Sequence, residues 1–368
     1  MNGIRSTQEK RFFDHFVNVT SRTLTLPSDW NSQTILSVIV SMCSEDTLVL
    51  KTVLCLGASH LINHLPSNAA EGRSLVTEKN RLLHESEREL SSRVAALQNM
   101  SSLTTQNQTQ YQPLLTSYLL LYLYEVSEGT GNVAWQTRLD EARGIVSSAL
   151  KEHRDLSGMR HENPDGHEGV LKPSPEELDN LWIAEPLLQF FIYHDAIGSV
   201  TAPRPRRMVI SHRHNDLSPP PHMLGVHNGI INFVARIAAL RSDTGGEPSL
   251  SSAGITSAVC IWQDIGKWEP SESDSELSPD YCTMCELYIV ACFIWLFFML
   301  HPDSSNDEKV QSMVCRGLGS LSFIEEPKLQ SFALFPVFVI GVACTRQEDR
   351  EQIEEQLDIL EQLRRFGG

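Results

Sequence analysis

The stretch "YCTMCELYIVACFIWLF", residues 281–297, decides how the chain folds. Its cysteines fall at Cys282, Cys285 and Cys292, a C-x2-C-x6-C spacing. That spacing is half of a six-thiolate pattern that holds two zinc ions and offers a compact basic loop to DNA. Here the residues between Cys285 and Cys292 are "ELYIVA", apolar and good for a helix. No second C-x-x-C follows, since the next cysteines are the isolated Cys315 and Cys344. On a helix Cys282 and Cys285 share a face, so a redox or metal pair is the sharper reading. The reading adopted is the plainer one, three small apolar residues packed in a core helix.

The same helical pattern extends outward through nearly all of the 368 residues. "EDTLVLKTVLCLGASHLINHL" (45–65) opens on an acidic capping signal and continues in helix formers. Residues 75–100 alternate leucine and valine with charge at the spacing of one helix face. The polar "SSLTTQNQTQ" (101–110) reads as a loop before the greasy helix that starts at Tyr111. Amphipathic helices are expected over 132–154, 174–200, 224–242 and 251–268, with further ones up to the charged closing segment. Alternating strand patterns with Asn-Gly or Asp-Gly turns are nearly missing. The expectation is therefore all-α, one large domain over 1–368 with roughly a dozen helices. Irregular insertions are expected near 152–178, 202–222 and 241–256.

Composition narrows the function. Hydrophobic residues make up 41% and charged residues 21%, enough apolar content for a substantial core. The formal charge is −16, whereas duplex binding needs clustered Lys and Arg, so direct nucleic-acid binding is not expected of this chain. The eight cysteines sit mostly in apolar runs and read as reduced core thiols. The N-terminus lacks the apolar stretch of a signal peptide. The longest apolar run, Tyr288 to Leu300, is too short to span a bilayer. A soluble intracellular protein of nucleus or cytoplasm, without membrane association, is the expectation.

Five segments in register carry a resemblance to the all-α regulatory domain of fungal-specific transcription factors, which lies C-terminal to a zinc binuclear cluster. They are "LVLKTVLCLGASHL" (48–61), "LLTSYLLLYLYEVSEGTGNVAWQTRLDEARGIV" (114–146), "FFIYHDAIGSVTAPRPR" (190–206), "ELYIVACFIWLF" (286–297) and "ALFPVFVIGVACTRQEDREQI" (333–353). Arg138 and Glu141 stand where that family is expected to carry His and Gly, and Ile289 stands where it often carries Arg. The resemblance runs from about residue 10 to 365, and no zinc cluster is read upstream of it. It implies a regulator-like protein tied to fungal secondary metabolism, working through a protein partner or a small-molecule effector. Trp135, Arg138 and Asp195 would then hold helices in register, with carboxylates paired to arginine.

The same domain type also resembles non-canonical fungal sesquiterpene cyclases of the humulene-forming kind, which implies a second reading. Such an enzyme needs an apolar helical cavity, carboxylates for Mg²⁺ and a cation for the diphosphate. Glu125, Glu128 and Asp195 are the candidate Mg²⁺ ligands, and Arg138 and Lys267 the candidate diphosphate contacts. Without that enzyme reading no cofactor is expected. The D-D-x-x-D signature, G-x-S-x-G, Walker and Rossmann glycine patterns are all absent from the sequence. His153, His161 and His167 lack fixed ligand spacing and read as loop residues. The one basic concentration, "PRPRRMVISHRH" (203–214) with Arg204, Arg206, Arg207 and Arg213, reads as an exposed loop in preference to an import or phosphate-binding patch.

Overall fold

The computed structural model describes residues 3–24, 35–65, 70–99, 105–129, 133–157, 177–178, 181–201, 228–243, 250–269 and 278–366. Among these are thirteen α-helices of nine residues or more and no strand. They are α1 (Thr7–His15), α2 (Ile35–Glu45), α3 (Thr47–Asn63), α4 (Ala70–Asn99), α5 (Thr105–Glu128), α6 (Ala134–Ser157) and α7 (Glu185–Thr201). The series continues with α8 (Asn228–Asp243), α9 (Ser252–Lys267), α10 (Pro279–Leu300), α11 (Glu308–Leu321), α12 (Leu334–Ala343) and α13 (Gln347–Phe366). A π-helical turn, Phe16–Thr20, follows α1 directly.

Helix α10 begins where Ser278 caps the backbone N–H of Tyr281 and Pro279 takes the first helical position, which needs no donor. It is apolar on every side, and neighbours surround it: α8, α9, α11 and α12 all pack against it. Tyr288, Val290, Ala291 and Cys292 have no exposed surface. The Tyr288 hydroxyl donates to the Phe332 carbonyl at 2.8 Å, so this deeply buried polar atom is satisfied. Cys285 and Cys292 are buried and Cys282 half-buried, and burial pushes the Cys292 thiol well above its ordinary range. These cysteines serve as packing in a core helix. At 22 residues the helix is longer than the apolar run read from the sequence, because "PDYCTMCEL" joins it. By length and composition it is long enough to cross a membrane, yet a single apolar helix set in a core is no evidence of one.

The N-terminal half is built on α3. Asp46 accepts from the N–H groups of Leu48 and Val49 at 2.8 and 3.2 Å and starts the helix. Helices α1, α2, α4 and α5 pack around it, and α6 lies along α5. Helix α7 touches α2, α6 and α8, which ties the two halves together. The buried apolar side chains form one cluster that runs from Phe12 to Ile353.

Several boundaries differ from those read in the sequence. Residues 105–110 are helical instead of loop, and Pro113 is accommodated inside α5. Helix α7 starts at Glu185, not in the 174–183 stretch, because Pro186 fits a first turn but not a helix interior. Helix α6 runs on to Ser157, while Ser252 already opens α9 behind a Ser251 cap, so the first and third irregular stretches are narrower than expected. The 158–176 and 202–222 parts of those insertions lie outside the described residues, as do His161, His167, Arg204, Arg206, Arg207 and Arg213. His153 sits half-buried near the end of α6.

Candidate functional site

Three of the residues singled out in the sequence, Glu125, Glu128 and Arg138, meet along a charged seam where the C-terminal end of α5 crosses α3, α4 and α6. Gly129, in the left-handed region at φ 61°, closes α5 with its N–H on the Glu125 carbonyl. That stop leaves Glu125 and Glu128 on the last turn, three residues apart and on one side.

Glu128 is fully engaged. Lys79 of α4 donates to both of its carboxylate oxygens at 2.7 Å, and Ser59 of α3 donates to one of them at 2.6 Å. The Lys79 ammonium lies 5.4 Å from the Tyr124 ring centre, and the residue is 6% exposed. Glu125 has no ion pair among the described residues. Burial pushes its carboxyl upward, Arg138 draws it down, and Glu87 and Glu128 push it up again.

Arg138 of α6 is also committed. It donates to Glu87 on α4 and contacts Glu141 one turn along at 3.4 Å. Trp135, half-buried, meets the Tyr122 ring edge-on at 6.3 Å between centres. Asp195 answers to a different cation: Arg143 of α6 donates to it at 2.9 and 3.2 Å and also holds Asp140 at 2.6 Å. Lys267 is exposed in the last turn of α9, a helix that packs chiefly on α8 and α10. The structure thus brings Glu125, Glu128 and Arg138 into one seam, joins Asp195 to α6 through Arg143, and leaves Lys267 on another face.

Chemically the seam is a set of internal ion pairs. A carboxylate that already holds an ammonium has little negative charge left to draw Mg²⁺ from its water shell. A guanidinium between two glutamates likewise has its donors directed at them. Between α3 and α4, Lys51, Glu85, Arg88 and Glu89 line an open hollow of about 290 Å3, with Lys51 bonded to Glu89 at 2.9 Å. Its lining is charged, unlike the apolar walls that a hydrocarbon substrate needs. Lys79, Glu87 and Arg143 were not anticipated. The i, i+8 spacing of Lys79 and Glu87, two turns apart on α4, is the one sequence signal that places them on a common face.

A family model for the fungal specific transcription factor domain matches residues 11–368. The chain belongs to that family. No curated protein and no solved structure matches it. As a fungal specific transcription factor domain it has a transcription-regulator-like role. Within this fungal specific transcription factor domain, the five segments that carry the resemblance contribute to α3, to α5 with α6, to α7, to α10 and to α12 with α13. They supply Ser59, Glu125, Glu128 and Arg138 of the seam and most of the central apolar helix, whereas Lys79 and Glu87 on α4 lie outside them.

Proposed function

We propose that this domain is the sensing or partner-binding part of a transcriptional regulator of a fungal secondary-metabolite pathway. It acts in the nucleus through a protein partner or small effector, and DNA is read by residues other than these. The observation that carries the regulatory reading over a catalytic one is the engagement of the seam. Glu128, Asp195 and Arg138, three of the five groups a cyclase would need to keep available, are each tied to an opposite charge, and of the other two Glu125 has no ion pair among the described residues and Lys267 lies on another face. The net charge of −16 supports DNA contact made elsewhere. A protein partner is supported by an exposed apolar strip on α12, where Leu334, Phe338 and Val342 follow at i, i+4 and i+8 with 55%, 47% and 62% of their surface open.

The test joins the chain to an unrelated DNA-binding module and reads a reporter in a fungal host. Altered output, weakened by Phe338→Glu with the fold intact by circular dichroism, is the expected result. In parallel, the purified chain is incubated with farnesyl and geranylgeranyl diphosphate and Mg²⁺, and volatiles are analysed by gas chromatography and mass spectrometry. A cyclic hydrocarbon that disappears with chelator and with Glu125→Ala would overturn the regulatory reading in favour of a terpene cyclase.

A further inference from the structure

Where α1 meets the C-terminal end of α3, three imidazoles converge. His60 and His64 are one turn apart on "HLINH", the H-x3-H spacing that puts two rings on one face of a helix. His15 comes from the last turn of α1. Each ring offers one nitrogen, and the three lie within 4.8 Å of one another. His15 Nε2 and His60 Nδ1 are 3.0 Å apart and hydrogen-bonded to each other, so the ring that carries the shared proton must move it to its other nitrogen for both to face an ion. The ring centres of His60 and His64 are 4.3 Å apart.

The hydrogen bonding fixes which nitrogen His64 has to give. Its Nδ1 lies 2.6 Å from the His60 carbonyl oxygen, an acceptor, so Nδ1 carries the proton and donates. The lone pair of the neutral ring is then on Nε2. That atom is buried with no hydrogen-bond partner among the described residues. A buried nitrogen of this kind costs free energy unless something takes its lone pair. A ring held by Nδ1–H to a backbone carbonyl, with Nε2 free, is how metal-ligating histidines are commonly oriented.

We propose that His15, His60 and His64 form a binding site for one divalent transition-metal ion of the zinc class. Two imidazole nitrogens on one tetrahedral zinc, each at roughly 2.0–2.1 Å, sit about 3.3 Å apart, close to the His15–His60 separation. Imidazole suits zinc, cobalt, nickel and copper, whereas magnesium and calcium prefer oxygen, so the site is separate from any Mg²⁺ chemistry at the seam. Water or a small anion completes the coordination. Because the ligands come from α1 and α3, the ion fastens the N-terminal helix to the core. The π-helical turn Phe16–Thr20 follows His15 directly.

The test uses the full chain freed of metal with chelator. Co²⁺ is titrated against the visible absorption of tetrahedral cobalt, Zn²⁺ is added in competition, and Tm is followed with and without Zn²⁺. One ion per chain, displacement by Zn²⁺ and a Tm rise of several degrees are expected in the native sequence and in His84→Gln, an exposed histidine elsewhere on α4. The signal and the Tm rise should both be lost in His60→Gln/His64→Gln and, from the other helix, in His15→Gln. X-ray absorption at the zinc edge of the native complex should report nitrogen ligands without sulfur. Failure of the native chain to bind one ion, an unchanged response in the variants, or sulfur ligation would each overturn the proposal.

Discussion

Gly57 of α3 lies so close to Phe12 of α1 that a Cβ placed on it would fall 2.4 Å from the Phe12 carbonyl oxygen. Three residues further along each helix stand His15 and His60, whose ring nitrogens are 3.0 Å apart. The missing side chain at Gly57 therefore sets the separation at which α1 and α3 cross, and the imidazole contact inherits that separation.

Gly57→Ala should destabilise the chain by about 1–3 kcal/mol, since the clash is with backbone and α1 has to shift. Gly144, inside α6, is the counter-example: a Cβ there would meet nothing within 4 Å. Gly144→Ala should stabilise by about 0.5–1 kcal/mol through helix propensity alone. Urea unfolding of both variants checks the opposite signs.

Lys79 and Glu128 are paired with little exposure, 8% and 22% of their side-chain surfaces. Removing one partner strands the other charge, so Lys79→Met and Glu128→Gln should each cost about 2–3 kcal/mol, less than a fully buried pair because Glu128 keeps some water contact. The double variant should cost clearly less than the sum. A double-mutant cycle that shows simple additivity would mean that the pair contributes nothing as a pair.

His194 of α7 is ringed by Tyr122, Phe190 and Tyr193, with ring centres 5.3, 4.4 and 5.1 Å away. Desolvation pushes its pKa from 6.5 down to about 3. As pH falls below the unfolded value, the unfolded chain takes up a proton that the folded chain refuses. Stability from this group is thus complete above about pH 6.5 and is lost as pH drops toward 3, by up to about 1.4 kcal/mol per unit. The residue as a whole is only half-buried, which makes that slope an upper limit. His194→Phe should flatten the acid limb of a stability–pH curve measured by denaturant unfolding.

The cysteines should separate by reactivity. Cys260 and Cys315 are exposed, whereas Cys43, Cys55, Cys285, Cys292 and Cys344 are buried. Burial raises the Cys43 and Cys55 thiols to about 12 and Cys344 to about 11. A maleimide reagent at neutral pH should label Cys260 and Cys315 quickly and the half-buried Cys282 more slowly, and the other five only in denaturant. Mass spectrometry of the labelled peptides reads the order.

The all-α architecture and the core role of 281–297 were legible because both rest on local periodicity and composition. The start of α5 was not, since Gln and Thr before Pro113 carry weak and conflicting signals that tertiary packing overrode. At the site, Glu125, Glu128 and Arg138 could be named but their partners could not. Lys79 is 49 residues from Glu128, Glu87 is 51 from Arg138 and Asp195 is 52 from Arg143. No helical period links positions so far apart; only the packing of α4, α6 and α7 brings them together. The histidines divide the same way: His60 and His64 share a local spacing, whereas His15 joins them through the α1–α3 crossing.

Helix α10 also sets an order on synthesis. When it leaves the ribosome α8 and α9 have already emerged, but α11 and α12, which close its other sides, have not. For that interval a segment with the length and greasiness of a membrane span stands partly uncovered beside the translation machinery. Chaperones and targeting factors that survey nascent chains meet it before the fold can hide it. The last sixty-odd residues therefore act as the segment that withdraws α10 from their reach, and a chain stopped at Leu300 should pellet or partition into membranes where the full chain does not.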